Sequence, residues 1–140
     1  MLKSIKVRAY MTRHLVTFRP EMDLFTAINR LLEHSLASAP VVDSEGYLIG
    51  MLSESDCLRA ILAGAYFDDA HGSVGGYMTP AVDTIDADAD IIDAAETFLR
   101  GQRRRLPVLE DGRLVGLISR HDVLRAVKEF AQHEKGQSNE

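Results

Sequence analysis

Residues 50–60 read GMLSESDCLRA and residues 116–126 read GLISRHDVLRA, with six of the eleven positions identical. Working outward from this pair, a shift of 67 aligns YMTRHLVTF at 10–18 with YMTPAVDTI at 77–85. The same shift aligns Asp23 with Asp90, Ala27 with Ala94, and Pro40-Val41 with Pro107-Val108. Omitting Glu45 continues the match at a shift of 66. Of the fifty aligned positions from Tyr10 to Ala60, seventeen are identical, nine before the gap and eight after it. The chain is a tandem duplication, and a repeat of this kind decides the fold before any motif is read. Between the copies, ILAGAYFDDAHGSVGG at 61–76 begins as a helix end and turns rich in Gly and Asp, the composition of a linker. A boundary is expected near Gly72, giving a first copy over 1–71, a second over 72–134 and a polar tail over 135–140.

The second copy shows the order of elements more cleanly. In AVDTI at 81–85, Val82, Thr84 and Ile85 suit a short strand. DADADIIDAAETFLRG then spaces Ile91, Ala94, Ala95, Phe98 and Leu99 as one face of a helix. LPVL and RLVGLIS are β-rich runs joined by Glu110-Asp111-Gly112, the short Gly-containing connection of a hairpin. From Ser119 onward, HDVLRAVKEFAQH spaces Val123, Leu124, Val127, Phe130 and Ala131 along a second helix, and EKGQSNE fades into the tail. Each copy is therefore expected to run strand, helix, hairpin, helix. About 60 residues cannot bury a large core alone, so two copies packing sheet against sheet is the expected arrangement.

Composition narrows the function. A 140-residue chain with 46% hydrophobic residues can bury a real core. Sixteen basic against twenty-one acidic residues give a net charge of −5, which argues against a duplex-binding surface and against nucleic acid as the partner. The single cysteine, Cys57, has no intramolecular disulfide partner. The start, MLKSIKVRAYMTRH, lacks the unbroken apolar stretch of a signal peptide, so a cytoplasmic location is expected. The longest uncharged apolar run, AILAGAYF at 60–67, is far short of the ~20 residues that span a bilayer, so no membrane partner is expected.

With its two YMT stretches, the APVVD and LPVLE runs, and G-x-x-S-x-x-D-x-L-R-A twice, the chain resembles the CBS-domain pair, or Bateman module, from Val7 to Val127. It looks like a stand-alone pair. The resemblance implies an α+β fold whose paired repeats form clefts for adenosine-containing ligands, modules that commonly dimerise into a disc, and sensing rather than catalysis. The ligand-binding positions it implies are Thr17, Ser38, Pro40, Ser53 and Asp56 in the first copy, and Thr84, Arg104, Arg105, Pro107, Ser119, Arg120 and Asp122 in the second.

The residues themselves leave two readings of Ser-x-x-Asp open. A Ser before a helix with an acid three residues on is a capping box, although Glu or Gln is usual and Asp is short. A helix start also presents N–H donors to phosphate, and a neighbouring Asp can accept both hydroxyls of a ribose. With the resemblance, Asp56 and Asp122 are expected in the ribose role. The copies differ before the hairpin: Gln102-Arg103-Arg104-Arg105 stands where the first has Ser35-Leu36-Ala37-Ser38. Arg103 and Arg105 can share one side of an extended segment, and guanidinium matches phosphate oxygens bidentately. The second copy is therefore expected to take a phosphorylated nucleotide, with Arg105 best placed and Arg104 and Arg120 behind it. Against this stands an ordinary solvated charge run. The first copy has Glu54 and no nearby cation, so unequal sites are expected: the first is empty, or takes a less charged ligand or a cationic one such as S-adenosylmethionine.

Asp86, Asp88 and Asp90 imitate a calcium loop, but Ile91 and Thr97 occupy the positions that need Gly and Glu. Asp23 and Asp90 read instead as helix N-caps. His14, His34, His71, His121 and His133 have no zinc-site spacing, and Cys57 beside Leu58 and Ile61 reads as a buried inert thiol. No nucleophile elbow, P-loop or dinucleotide fingerprint occurs. The expectation is a sensor that needs no cofactor and binds AMP, ADP, ATP or S-adenosylmethionine as a regulatory ligand. It would work as a homodimer, through apolar helix faces such as LRAILAGAYF and VLRAVKEF, and report to an effector protein. The alternatives are a scaffold module without a nucleotide and, last, a catalytic protein.

Overall fold

Two aspartates and two serines start the four long helices, and the hairpins follow from where those helices stop. The computed structural model describes residues 1–65, 72–80 and 83–138. Residues 66–71 of the expected linker, including Tyr66, Phe67 and His71, and the expected strand residue Val82 lie outside the described residues. The fold is α+β, and the chain divides into two compact units, Val16–Val82 and a second built from Met1–Leu15 together with Asp83–Glu140.

In the unit Val16–Val82, the Asp23 carboxylate accepts the Thr26 N–H at 3.2 Å and opens α1, Leu24–Glu33. Leu24, Ala27 and Leu31 form its buried stripe. The helix is closed by Ser35 in the left-handed region (φ 52°), with Leu36 N–H donating to Leu31 O at 2.9 Å. Strands β1 (Ser38–Val42) and β2 (Leu48–Ser53) then pair antiparallel, from Ser38 opposite Ser53 to Val41 opposite Gly50, with a register shift after Val41. Phe18 bridges Val41 in parallel, where the sequence repeat calls for a strand. Helix α2, Glu54–Leu62, runs on directly from β2. Phe18, Leu24, Val41, Leu52, Ala60 and Val74 are fully buried together. Val74 belongs to α3, Val74–Tyr77, so the Gly-rich end of the expected linker holds a helical turn, fixed by Gly75 N–H on Pro20 O at 2.8 Å. The chain then lays Thr79 against β2, with mutual backbone bonds to Met51 of 2.8 and 2.9 Å.

The other unit repeats the plan. Strand β3, Ile85–Asp86, lies parallel to β4, Arg105–Glu110, which pairs antiparallel with β5, Arg113–Ser119. Thr84 immediately precedes β3. Between them α4, Ile91–Arg100, starts on a reciprocal box: Asp90 accepts the Asp93 N–H at 2.8 Å and Asp93 accepts the Asp90 N–H at 3.2 Å. The β4–β5 turn places Asp111 and Gly112 both at positive φ, 52° and 82°, as a two-residue hairpin requires. Helix α5, Arg120–Ser138, continues into the expected polar tail as far as Ser138. Ile91, Phe98, Leu106, Val108, Ile118 and Ala126 form the core, joined by Val7 and Met11 from the start of the chain.

The leading segments are thus exchanged. YMT at 10–12 lies on the second copy's hairpin, where Thr12 and Leu117 share backbone bonds of 2.8 and 3.0 Å. YMT at 77–79 lies on the first copy's hairpin. Gly50 and Gly116 make this close approach physical. A Cβ at Gly116 would lie 2.6 Å from Met11 Sδ, and one at Gly50 would lie 2.8 Å from Met78 Sδ.

Several residues expected on buried helix faces are exposed: Leu58 (62%), Leu99 (84%) and Leu124 (66%), with Ile61 and Val127 at the margin. Helix α5 buries only the narrow Val123 and Ala126 stripe, which leaves its neighbours uncovered.

Candidate functional site

In both units the hairpin strand leads straight into a helix, so the N-cap serine is also the last residue of a strand. Hairpin register sets Ser38 directly opposite Ser53, and Arg105 directly opposite Ser119. Pro40 and Pro107 sit two residues further along those strands, both buried. Thr17 and Thr84 come just before the residues that pair with the same strands. The structure therefore gathers Thr17, Ser38, Pro40, Ser53 and Asp56 in one unit, and Thr84, Arg105, Pro107, Ser119 and Asp122 in the other.

The capping box forms in both, and Asp proves long enough. Ser53 N–H donates to Asp56 Oδ2 at 2.8 Å while Asp56 N–H donates to Ser53 Oγ at 3.1 Å; Ser119 and Asp122 repeat both distances. The next donor is taken too: Glu54 N–H bonds Ala37 O at 2.9 Å, and Arg120 N–H bonds Arg104 O at 3.3 Å. At each helix start this leaves one donor, the N–H of Ser55 or His121, without a partner among the described residues. A phosphate here would rely on side-chain cations more than on the helix terminus.

The two carboxylates differ. Asp56 is 1% exposed. Its Oδ2 accepts Ser53 N–H and Ser53 Oγ (2.9 Å), and its Oδ1 accepts Thr79 Oγ1 (2.7 Å) and the Arg59 guanidinium. Burial alone would raise its pKa, but the donors from Thr79, Ser53 and Arg59 outweigh it and hold the group below the ordinary carboxylate range. Asp122 accepts Ser119 N–H on Oδ2 and Arg125 Nη2 on Oδ1 at 3.3 Å, and its side chain is 16% exposed. Arg125 is shared: it lies 5.0 Å over the Tyr10 ring and 4.0 Å from Glu129, which also accepts the Tyr10 hydroxyl at 2.5 Å.

The expectation that the first copy lacks a nearby cation is corrected here, because Arg59 lies on Asp56. Its i,i+3 position puts it one turn along the same helix face, within easy reach. The arginines of the second copy separate. Arg105 and Arg104 are exposed and have no ion-pair partner among the described residues. Arg103 pairs with Asp83 at 3.4 Å. Arg120 turns away to the carbonyls of Arg103 (3.0 Å) and Phe98 (3.2 Å), stacked 5.9 Å over the Phe98 ring, and ties the segment before β4 to α4.

Thr79, Arg59, Arg125, Tyr10 and Glu129 all touch the site and were missed from the sequence. For four of them a signal existed, since YMT and LRA recur unchanged in both copies. Cys57 is buried, and burial, followed by the charges of Asp56 and Glu54, pushes its thiol up. Among the described residues there is no group of three metal-binding side chains and no helix long and apolar enough to cross a membrane.

A repeated strand-to-helix junction with a paired Ser and Asp defines a tandem module. The model of the CBS domain matches residues 7–63 and 74–129, and the chain belongs to that family. It is 33% identical over 119 residues to the Methanocaldococcus jannaschii protein MJ1225, covering 85% of this chain and 41% of that one. It is 31% identical over 125 residues to the A-adding tRNA nucleotidyltransferase of Aquifex aeolicus, covering 89% of this chain and 15% of the enzyme. The chain thus spans less than half the length of these relatives. The crystal structure of CBSX2 in complex with AMP superposes with a TM-score of 0.78 at 30% identity, over 91% of this chain and 98% of that one. A second CBSX2 structure, from Arabidopsis thaliana and described as a CBS-pair protein, gives 0.77 at 28%, over 91% and 97%.

Proposed function

We propose that this protein is a regulatory module that binds an adenine nucleotide at its second repeat, with Asp122 accepting the ribose hydroxyls and Arg105, assisted by Arg104, holding phosphate. One observation carries the reading: among the described residues an Asp carboxylate with open acceptor positions stands at a helix start, and an exposed Arg105 without an ion-pair partner stands opposite that helix's N-cap Ser119. Thr84 and Pro107 lie beside the same junction and would border the base or sugar. The AMP complex of a CBS-pair relative supports an adenosine-containing ligand, and the choice among AMP, ADP, ATP and S-adenosylmethionine follows from charge. The Arg pair favours the phosphorylated ligands. Arg120 acts as a brace, since its guanidinium is committed to two backbone carbonyls. Binding would act by differential affinity for two packings of the module or its homodimer, read by an effector protein.

Calorimetric titration with AMP, ADP, ATP and S-adenosylmethionine, on the wild type and on Asp122→Ala, tests this. A lost hydrogen bond to a charged group is worth about 1.5–3 kcal/mol, so Asp122→Ala should weaken binding at least about tenfold. Equal affinity in the two proteins would overturn the reading. A second reading is favoured by the exposed leucines on each unit, Leu58 and Leu62 (88%) on one and Leu99 and Leu124 on the other: a module whose business is contact with a second copy or another protein, without a nucleotide. It predicts that Asp122→Ala alters assembly and no ligand response.

A further inference from the structure

Thr12 and Thr79 hold equivalent places in the two copies and make the same backbone pairing, with Leu117 and Met51. Their hydroxyls behave differently. Thr79 Oγ1 donates to Asp56 at 2.7 Å, whereas among the described residues the Thr12 hydroxyl has no partner. A carboxylate has about four acceptor positions. Among the described residues Asp56 has four donors on it, while Asp122 has two. A ribose diol brings two more, which Asp122 can take and Asp56 cannot. The cations follow the same division. Tyr10 and Glu129 draw Arg125 partly off Asp122. The first copy has Ala63 in the place of Glu129, and Arg59 lies on its carboxylate.

We infer that Thr79 is a specificity-determining residue: its hydroxyl locks Asp56, so that each chain takes up one adenosine-containing ligand, at Asp122. This rests on the ribose role proposed above for Asp122. Thr79 rather than Arg59 is the lock. The Arg59 side chain is 65% exposed with water beside it as an alternative partner, while the Thr79 hydroxyl is held in place by a backbone paired on both sides to Met51. Thr79 is itself exposed, so trimming it leaves the buried core in place.

Calorimetric stoichiometry with AMP, on proteins whose fold is checked by circular dichroism, provides the test. One site per chain is expected in the wild type and in Thr79→Ser, which keeps the donor; two are expected in Thr79→Ala. The double variant Thr79→Ala/Asp122→Ala should keep one site of wild-type affinity, and Asp122→Ala alone should show no site of that affinity. Two sites in the wild type, or a single site in Thr79→Ala that Asp122→Ala removes, would overturn the lock while leaving the nucleotide reading intact. Binding to none of the proteins would sink both.

Discussion

Replacing Gly116 by alanine is a sharp probe of the exchanged leading segment. Gly116 has no positive φ, so its backbone would accept any residue. Its neighbours would not: a Cβ would meet Met11 Sδ at 2.6 Å, Met11 Cγ at 2.9 Å and Thr12 O at 3.0 Å. Met11 is 8% exposed, and Thr12 O is fixed by the Leu117 N–H at 3.0 Å, so relief must come from displacing the segment or repacking Met11. Overpacking of this kind costs about 1–3 kcal/mol. The loss of unfolded-chain freedom from Gly to Ala returns about 0.5 kcal/mol, leaving about 1–2 kcal/mol. At about 2.1 cal/mol/K per residue, that lowers Tm by about 3–7 °C. Met11→Ala alone should cost about 2–5 kcal/mol. It also removes two of the three close approaches, so the double variant should be less destabilised than the sum by about 1 kcal/mol. Urea denaturation of the four proteins measures this cycle. Gly116→Ala at wild-type stability, or singles that add within about 0.3 kcal/mol, would refute the packing argument.

Ser35→Gly should stabilise by about 1 kcal/mol, because a left-handed residue carries that penalty unless it is glycine; a denaturant midpoint that does not rise counts against it. Ser119→Ala should cost about 1 kcal/mol as a lost cap. Ser53→Ala should cost more, since its hydroxyl also donates to the buried Asp56, and equal midpoints for the two would contradict the difference between the carboxylates. Asp56 has a depressed folded pKa, so its contribution is present in full above the ordinary value of about 3.9 and is lost as pH falls through the lower folded value. Stability measured from pH 6 to pH 2 should therefore fall less steeply in Asp56→Asn than in the wild type.

Legibility followed the range of the interaction. The Asp caps of α1 and α4 and the capping half of both Ser-x-x-Asp junctions are local in sequence and are found where a few neighbouring residues place them, while the turn expected over Glu110-Asp111-Gly112 narrows to Asp111-Gly112 because Glu110 ends β4. The residues that decide the state of the carboxylates are not local. Thr79 reaches Asp56 from 23 positions away, and Tyr10 meets Glu129 from 119. Periodicity carries no information at those separations. Arg59 was within reach of a local reading, since it stands three positions after Asp56 on the same helix and its guanidinium lies on that carboxylate. The exposed Leu99 and Leu124 show a different failure, since helical spacing marks an apolar face without saying what covers it.

Because the leading segments are exchanged, one unit is an uninterrupted stretch, Val16–Val82, and the other is split around it. On the ribosome that asymmetry becomes an order of events. Every residue of the inner unit has been made before β3 exists, whereas Met1–Leu15 emerges first and must wait for β5, about a hundred residues later, before Thr12 has Leu117 to pair with. Two copies with nearly the same plan are thereby given separate moments to fold.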